Sequence, residues 1–205
     1  MQFFDLKSQL KGFLVFSIKD VEKIYPGFHK QRLSEWQKKG YIKKVQQGFY
    51  IFSDLQLNEQ ILFLIANNIY PPSYISLEMA FSLYNLIPEG VYEITSVTSR
   101  KTKQFKNETG NFTYKHIKPE LMFGYELREY DGHRYLVAVI EKALLDYLYL
   151  NPKVKEEADF KGLRFNVAEF KAKMDVEKLK KYLEAFDNQA LAKRVNKFIT
   201  YIKNA

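Results

Sequence analysis

The spacing of hydrophobic residues changes twice within the first fifty positions, and each change marks an element. Phe3, Leu6 and Leu10 recur at the three- and four-residue intervals of one helix face, and Gly12 closes that stretch. Ser17 then stands ahead of Ile18-Lys19-Asp20-Val21 as an N-cap, with Asp20 placed to return the bond and Phe16 as the preceding apolar staple. Pro26 makes this second helix stop near Tyr25, because the residue before proline avoids helical backbone, and Tyr25-Pro26-Gly27-Phe28 has the length of a helix-turn-helix bend. A third helix is predicted over 29–39 and closed by Gly40. Leu33 and Trp36 fall on its inner side, Gln31, Ser34, Glu35 and Lys38 on its outer side, and Lys30, Arg32 and Lys39 at the margins. Two β-type runs, 41–45 and 49–52, flank Gln46-Gln47-Gly48, which reads as a hairpin with glycine at its bend.

Further along, Asn58-Glu59 opens an apolar helix over 60–69, and Pro71-Pro72 interrupts it where a domain junction is expected. A short strand follows at Tyr74-Ile75-Ser76, with Ser76 expected to cap a helix running to about Leu86, and then a strand over 91–98. Two hairpins come next. One bends at Glu108-Thr109-Gly110-Asn111, the other at Asp131-Gly132, a dipeptide that favours the type I′ turn. A helix over 139–150 ends at Asn151-Pro152, and the remainder is helical in pattern. Asp175 is the expected cap of a helix over 176–186. Asp187 or Asn188 caps a last one that carries Leu191, Val195, Phe198 and Ile202 on one stripe, with the Phe198/Tyr201/Ile202 end as a candidate surface for dimerisation or a partner. The expected fold is α+β: a winged helix-turn-helix over 1–55, a mixed α/β domain over 56–150, and a helical C-terminal extension over 151–205 packed on that domain.

Composition narrows the chemistry. Zero cysteines exclude a disulfide scaffold, a cysteine-ligated zinc, an iron–sulfur cluster and a thiol nucleophile. His29, His116 and His133 share no helical spacing, so neither a metal nor a cofactor is expected. The first eleven residues lack the features of a signal peptide and no apolar run is long enough to span a bilayer, so a cytoplasmic protein away from membranes is expected. The net charge of +8 is unevenly distributed. Residues 1–52 hold ten Lys/Arg against four acids, 53–99 hold five acids and no base, and 100–118 hold six bases against one acid. Two separate basic surfaces are therefore expected, and the first coincides with the helix-turn-helix pattern.

That coincidence assigns candidate roles. With the third helix in a major groove, Gln31, Arg32 and Ser34 have the chemistry to read base edges. Lys19, Lys30, Lys38, Lys43 and Lys44 suit phosphates, Gln46 and Gln47 sit at the wing bend, and Ser17 with the second helix's first N–H groups would hold one more phosphate. In the second block, Arg100, Lys101, Lys103, Lys106 and Lys115 read either as a second anionic contact, to flanking DNA or an acidic patch on a partner, or as a solvated hairpin. Alternation puts Lys101 and Lys103 on one strand face and Lys106 on the other unless a bulge intervenes.

The elements GFLVFSIKDV, Gly40-Tyr41-Ile42 with Gln47-Gly48-Phe49-Tyr50, YISLEMAFSLYNLIP, VYEITSVTSRK and VIEKALLDYL, in that order over roughly residues 10–150, resemble the AbiEi antitoxin family. This is the DNA-binding half of bacterial type IV toxin–antitoxin, abortive-infection systems. The resemblance implies a winged-helix domain that binds double-stranded promoter repeats and represses its own operon. It also implies a second domain that counters a nucleotidyltransferase-like toxin without a stable complex. Gln47 stands where family members commonly carry arginine, which removes one charge from the wing. Glu141-Lys142-Ala143-Leu144-Leu145-Asp146 matches the family's Glu-(Arg/Lys)-x-Leu-x-Asp pattern in a looser register.

Enzyme readings find little support in the pattern. Glu126, Glu129, Asp131, Glu141 and Asp146 contain the carboxylates of a metal-dependent nuclease, but Glu126 and Asp131 fall on opposite strand faces and Glu141 and Asp146 do not share a helix face. Asp146 reads as the buried partner of an N–H group or a basic side chain. Neither a glycine-rich phosphate loop nor a nucleophile elbow is present, and no catalytic residue is expected. A winged-helix transcription factor without a toxin partner is the alternative, and a protein-interaction module the third reading.

Overall fold

The computed structural model of the protein describes residues 2–205. Three apolar clusters organise it, and the order in which the chain feeds them explains the topology.

The first cluster belongs to α1 (Phe3–Gln9), β1 (Phe16–Ser17), α2 (Ile18–Ile24), α3 (Gln31–Lys38), β2 (Ile42–Gln46) and β3 (Phe49–Phe52). Leu6, Leu10, Phe16, Val21, Leu33, Trp36, Ile42, Tyr50 and Phe52 fill it, so every helix contributes the apolar stripe read from its sequence. The strands form a sheet in the order β1-β3-β2. The two-residue strand β1, which apolar spacing did not reveal, pairs Phe16 with Tyr50 and Ser17 with Phe49. Gly40 and Gly48, at φ +71° and +84°, end α3 and turn the hairpin in the left-handed region where a side chain is strained. The third helix begins two residues later than its pattern suggests, because His29 and Lys30 form a turn leading into it.

The second sheet holds six strands, ordered β6-β7-β5-β4-β9-β8: β4 (Ser73–Ile75), β5 (Glu93–Thr98), β6 (Lys103–Asn107), β7 (Gly110–His116), β8 (Tyr125–Tyr130) and β9 (His133–Ala138). It is mixed: β5 runs parallel to β7 and β4 parallel to β9, while β4–β5 and the two hairpins are antiparallel. Side chains alternate across it. Ile75, Ile94, Phe112, Tyr114, Tyr135 and Val137 join the second cluster with α4 (Glu59–Ile69) and with Val15, Val45 and Ile51 from the first unit. Tyr74 and Val97 face the third cluster, built on α5 (Leu77–Leu83), α6 (Ile140–Leu150), α7 (Glu157–Gly162), α8 (Val167–Lys173), α9 (Val176–Glu184) and α10 (Gln189–Asn204).

Three expectations are corrected by this packing. Pro71-Pro72 is not a boundary between cores, since Ile61, Phe63, Leu64 and Ile65 before it share one cluster with Ile75 and Met79 after it. Ser76 does not cap α5 with its side chain: its hydroxyl donates to Asp146 Oδ2 at 2.9 Å, because a buried carboxylate is the stronger acceptor. Thr95 serves that helix end instead, accepting from Met79 N at 3.1 Å and donating to Ser76 O at 2.7 Å, and α5 stops at Leu83. The Phe198, Tyr201 and Ile202 end of α10 is inside the third cluster against Phe160 and Phe165 rather than on a contact surface.

Candidate nucleic-acid interface

Local chemistry fixes the first unit's helices before any ligand is considered. Ser17 Oγ accepts from Asp20 N at 3.3 Å, and the Asp20 carboxylate takes the Ser17 N–H at 2.8 Å and the Ser17 hydroxyl at 2.7 Å. This is the reciprocal capping box expected from the sequence. Ser17 is thereby committed, and a carboxylate already lies where a phosphate at this helix end would have to bind.

On α3, Leu33 and Trp36 are buried, and Phe3 and Phe28 pack edge-on and tilted against the Trp36 ring. This orients the helix so that Gln31, Ser34, Glu35, Gln37 and Lys38 face outward. Arg32 is half-buried and already engaged within the chain. Around this face the first unit keeps unpaired cations. Of its bases, Lys7 bonds Asp54, Lys23 lies 3.8 Å from Asp20, and Lys30 lies 3.3 Å from Glu22. Lys11, Lys19, Lys38, Lys39, Lys43 and Lys44 make no ion pair among the described residues.

The hairpin is clamped beside its bend. Val45 and Ile51 enter the second cluster, a register shift between Lys44 and Gln46 lets Val45 do so, and Gln46 Nε2 donates to Ile69 O at 2.9 Å. Gln46 is therefore a structural contact, whereas Gln47 at the bend is exposed. Lys44, opposite Tyr50, is exposed, and Lys43, opposite Ile51, is half-buried.

The second basic block does not form one surface. Arg100 stacks on the Tyr70 ring at 4.0 Å and donates to Pro71 O at 3.2 Å, while Lys101 is exposed and its carbonyl accepts from Tyr70 OH at 3.0 Å. The β6–β7 register is unbroken from Lys103 to Asn107, so no bulge intervenes and Lys106 lies on the opposite face from Lys103 and Phe105. Lys103 lies 5.8 Å from the Phe105 ring centre. Lys103 and Lys115 both line an open cavity of about 950 Å³ together with Glu78, whose carboxyl burial pushes above its ordinary range while Lys115 holds it down. One contact joins the two basic blocks: Asn107 Nδ2 donates to Val45 O, so Lys106 and Lys44 are each one residue from the same junction.

Acidic residues do not converge, and among the described residues no three His, Asp or Glu side chains are grouped to hold a metal. Glu126 pairs with Arg128, Glu129 lies 3.6 Å from Arg134, and Asp131 occupies the hairpin bend at φ +50°. Glu141 accepts from Asp175 N at 2.8 Å and lies 3.2 Å from Lys178, fastening α6 to the start of α9. Asp146 bonds Lys142 one helical turn away, and both are fully buried with Tyr74 and Ser76. The i,i+4 spacing of Lys142 and Asp146 is compatible with their pairing, but with Glu141 beside it nothing local marked Lys142 as buried. No described helix is long and apolar enough to cross a membrane. Compared with known proteins, the chain matches no family model and no curated sequence.

Proposed function

We propose that the chain is a DNA-binding antitoxin and autorepressor of a type IV toxin–antitoxin operon, and that its first unit is a winged helix-turn-helix. The observation that carries the DNA reading is α3: its apolar side is locked by Trp36 while Gln31, Ser34 and Lys38 face outward, flanked by unpaired lysines on α2 and the hairpin. In this reading α3 enters the major groove of double-stranded DNA. Gln31 and Ser34 meet base edges, and Lys19, Lys38, Lys43 and Lys44 meet phosphates. Gln47 sits at the wing tip, and Lys106, beside the Asn107–Val45 junction, extends the contact to the flanking backbone. The antitoxin part of the proposal rests on the ordered resemblance to the AbiEi family, and its partner is a nucleotidyltransferase-like toxin countered without a stable complex.

A gel shift with the DNA upstream of the operon, repeated across salt, tests the first part. About five or six neutralised phosphates give a slope of log K against log[salt] near −5. Absence of a shift at low salt, or a flat salt response, refutes it. Coexpression with the neighbouring reading frame tests the second: growth rescue supports the antitoxin, and failure of rescue with intact DNA binding leaves a transcription factor without a toxin partner.

A further inference from the structure

The six-stranded sheet ends in two edges of different character, β6 on one side and β8 on the other. A sheet edge carries unpaired N–H and C=O groups that invite another strand unless charge or geometry discourages it. On β6, Lys103 and Lys106 supply charge of one sign, so two copies of that edge repel. The β8 edge reads Tyr125-Glu126-Leu127-Arg128-Glu129-Tyr130, with both signs present, and at its centre Leu127 is 57% exposed beside Tyr125 at 39%. Pairing with β9 fixes which backbone groups stay open. Gly124 O accepts from Val139 N at 3.0 Å, so the even-numbered residues of β8 exchange their backbone bonds with β9. Leu136, opposite Leu127, accordingly sends its N–H to Asn67 Oδ1 at 2.6 Å and not to β8. The N–H and C=O groups of Tyr125, Leu127 and Glu129 therefore point out of the sheet, where no described strand takes them up.

We propose that β8 is the seam of a homodimer, in which two copies join edge to edge as antiparallel strands about a two-fold axis at Leu127. The open groups set the register. Outward-pointing residues must meet outward-pointing residues, so the axis passes through a residue and not between two. An axis at Glu126, Arg128 or Glu129 sets a charge against its own copy, and one at Tyr125 runs the partner past the start of β8. An axis at Leu127 sets Glu126 against the partner's Arg128, and Arg128 against the partner's Glu126. These two side chains already bond each other at 2.7 Å within one chain and stay partly exposed, so across the seam opposite charges alternate in one cluster. On the other face Leu127 meets the partner's Leu127. Because Leu136 stands opposite Leu127 in each copy, leucines then run in one row across the seam. The contact uses the same patch on both copies and closes at two.

Sedimentation velocity of the full-length chain is the test. The 24.3 kDa monomer is expected to pass reversibly to a dimer as concentration rises, within a range of about 1 to 100 μM. Glu126→Arg and Arg128→Glu each set like charges across the seam, and each is expected to weaken self-association about tenfold or more. Mixed in equal amounts, the two variants are complementary, since the arginines of one chain face the glutamates of the other. The mixture should therefore dimerise again with an affinity near that of wild type, which neither a misfolded variant nor the broken pair within one chain can produce. In hydrogen exchange, the amides of Leu127 and Glu129 should slow as wild-type concentration rises, while those of Glu126 and Arg128, already bonded to β9, should not change. A chain that stays monomeric throughout overturns the proposal, as does a dimer that survives both reversals or a mixture that fails to associate. Assemblies larger than a dimer also overturn it, because β8 would then be joining a different surface.

Discussion

A lysine ammonium with no solvent exposure, ringed by Tyr74, Phe123 and Phe186 at 5.2–5.4 Å from their centres, survives only because every neighbouring polar atom serves it. Lys142 bonds Asp146 and donates to Tyr74 OH at 2.8 Å, while Asp146 Oδ2 accepts from Tyr74 OH and Ser76 Oγ, each at 2.9 Å. Burial pushes the Lys142 ammonium down and the Asp146 carboxyl up, and each charge opposes the other's shift. Removing one partner strands the other, so Lys142→Met or Asp146→Asn alone should cost about 3–5 kcal/mol in urea unfolding, and the double variant Lys142→Met/Asp146→Leu distinctly less than the sum. Glu78 gives a pH-dependent counterpart. Burial raises its carboxyl above the ordinary 4.5, so the folded chain holds that proton more tightly than the unfolded chain. The resulting stability is complete below the unfolded value and is lost as pH rises through the folded one. Glu78→Gln is therefore expected to gain stability relative to wild type at pH 7 and to show no gain at pH 3, read from denaturation at both. Asp146 as a buried partner was legible at this scale, but Ser76 was not, because a serine before a helix looks the same whether its hydroxyl caps the helix or crosses to a carboxylate seventy residues away.

Turn and cap chemistry decided most elements before packing did. Ser17 with Asp20, Asn58, Asp175 and Asn188 all accept backbone N–H groups at the helix starts where the sequence placed them. Asp131-Gly132 turns β8 into β9 with both φ values positive, +50° and +72°. Ser17→Ala is expected to cost about 1 kcal/mol in thermal unfolding. On α3 the proposed division of labour predicts two different signatures in binding assays. Gln31→Ala or Ser34→Ala should lose about 1–3 kcal/mol of discrimination between operator and unrelated DNA. Lys44→Ala should weaken both DNAs alike and lower the salt slope by about one. Equal losses on both DNAs from all three variants would exclude base reading by α3. What the pattern missed here is short or polar: β1 spans two residues and exists only because β3 pairs with it.

At the scale of the molecule, the first unit is not a free module. Its hairpin sends Val45 and Ile51 into the core beneath the six-stranded sheet, and the Gln46–Ile69 and Asn107–Val45 bonds hold it there. Trp36, the sole tryptophan, reports on the first unit alone. Its fluorescence and the far-UV signal of the whole chain should therefore follow one common urea transition, and Gln46→Ala/Asn107→Ala should separate the two curves. Charge partition, the caps of α2, α4, α9 and α10, the glycine bends and the polar face of α3 all follow from the sequence, because each is set by residue identities or by residues within a few positions of one another. The tertiary structure alone decided that the core continues past Pro71-Pro72 and that the last helix buries its Phe198 end. It also decided that the two basic blocks meet at Asn107 and Val45. Each of these depends on pairs of residues brought together by strand order and sheet pairing, and no local spacing encodes which distant strand will be a neighbour.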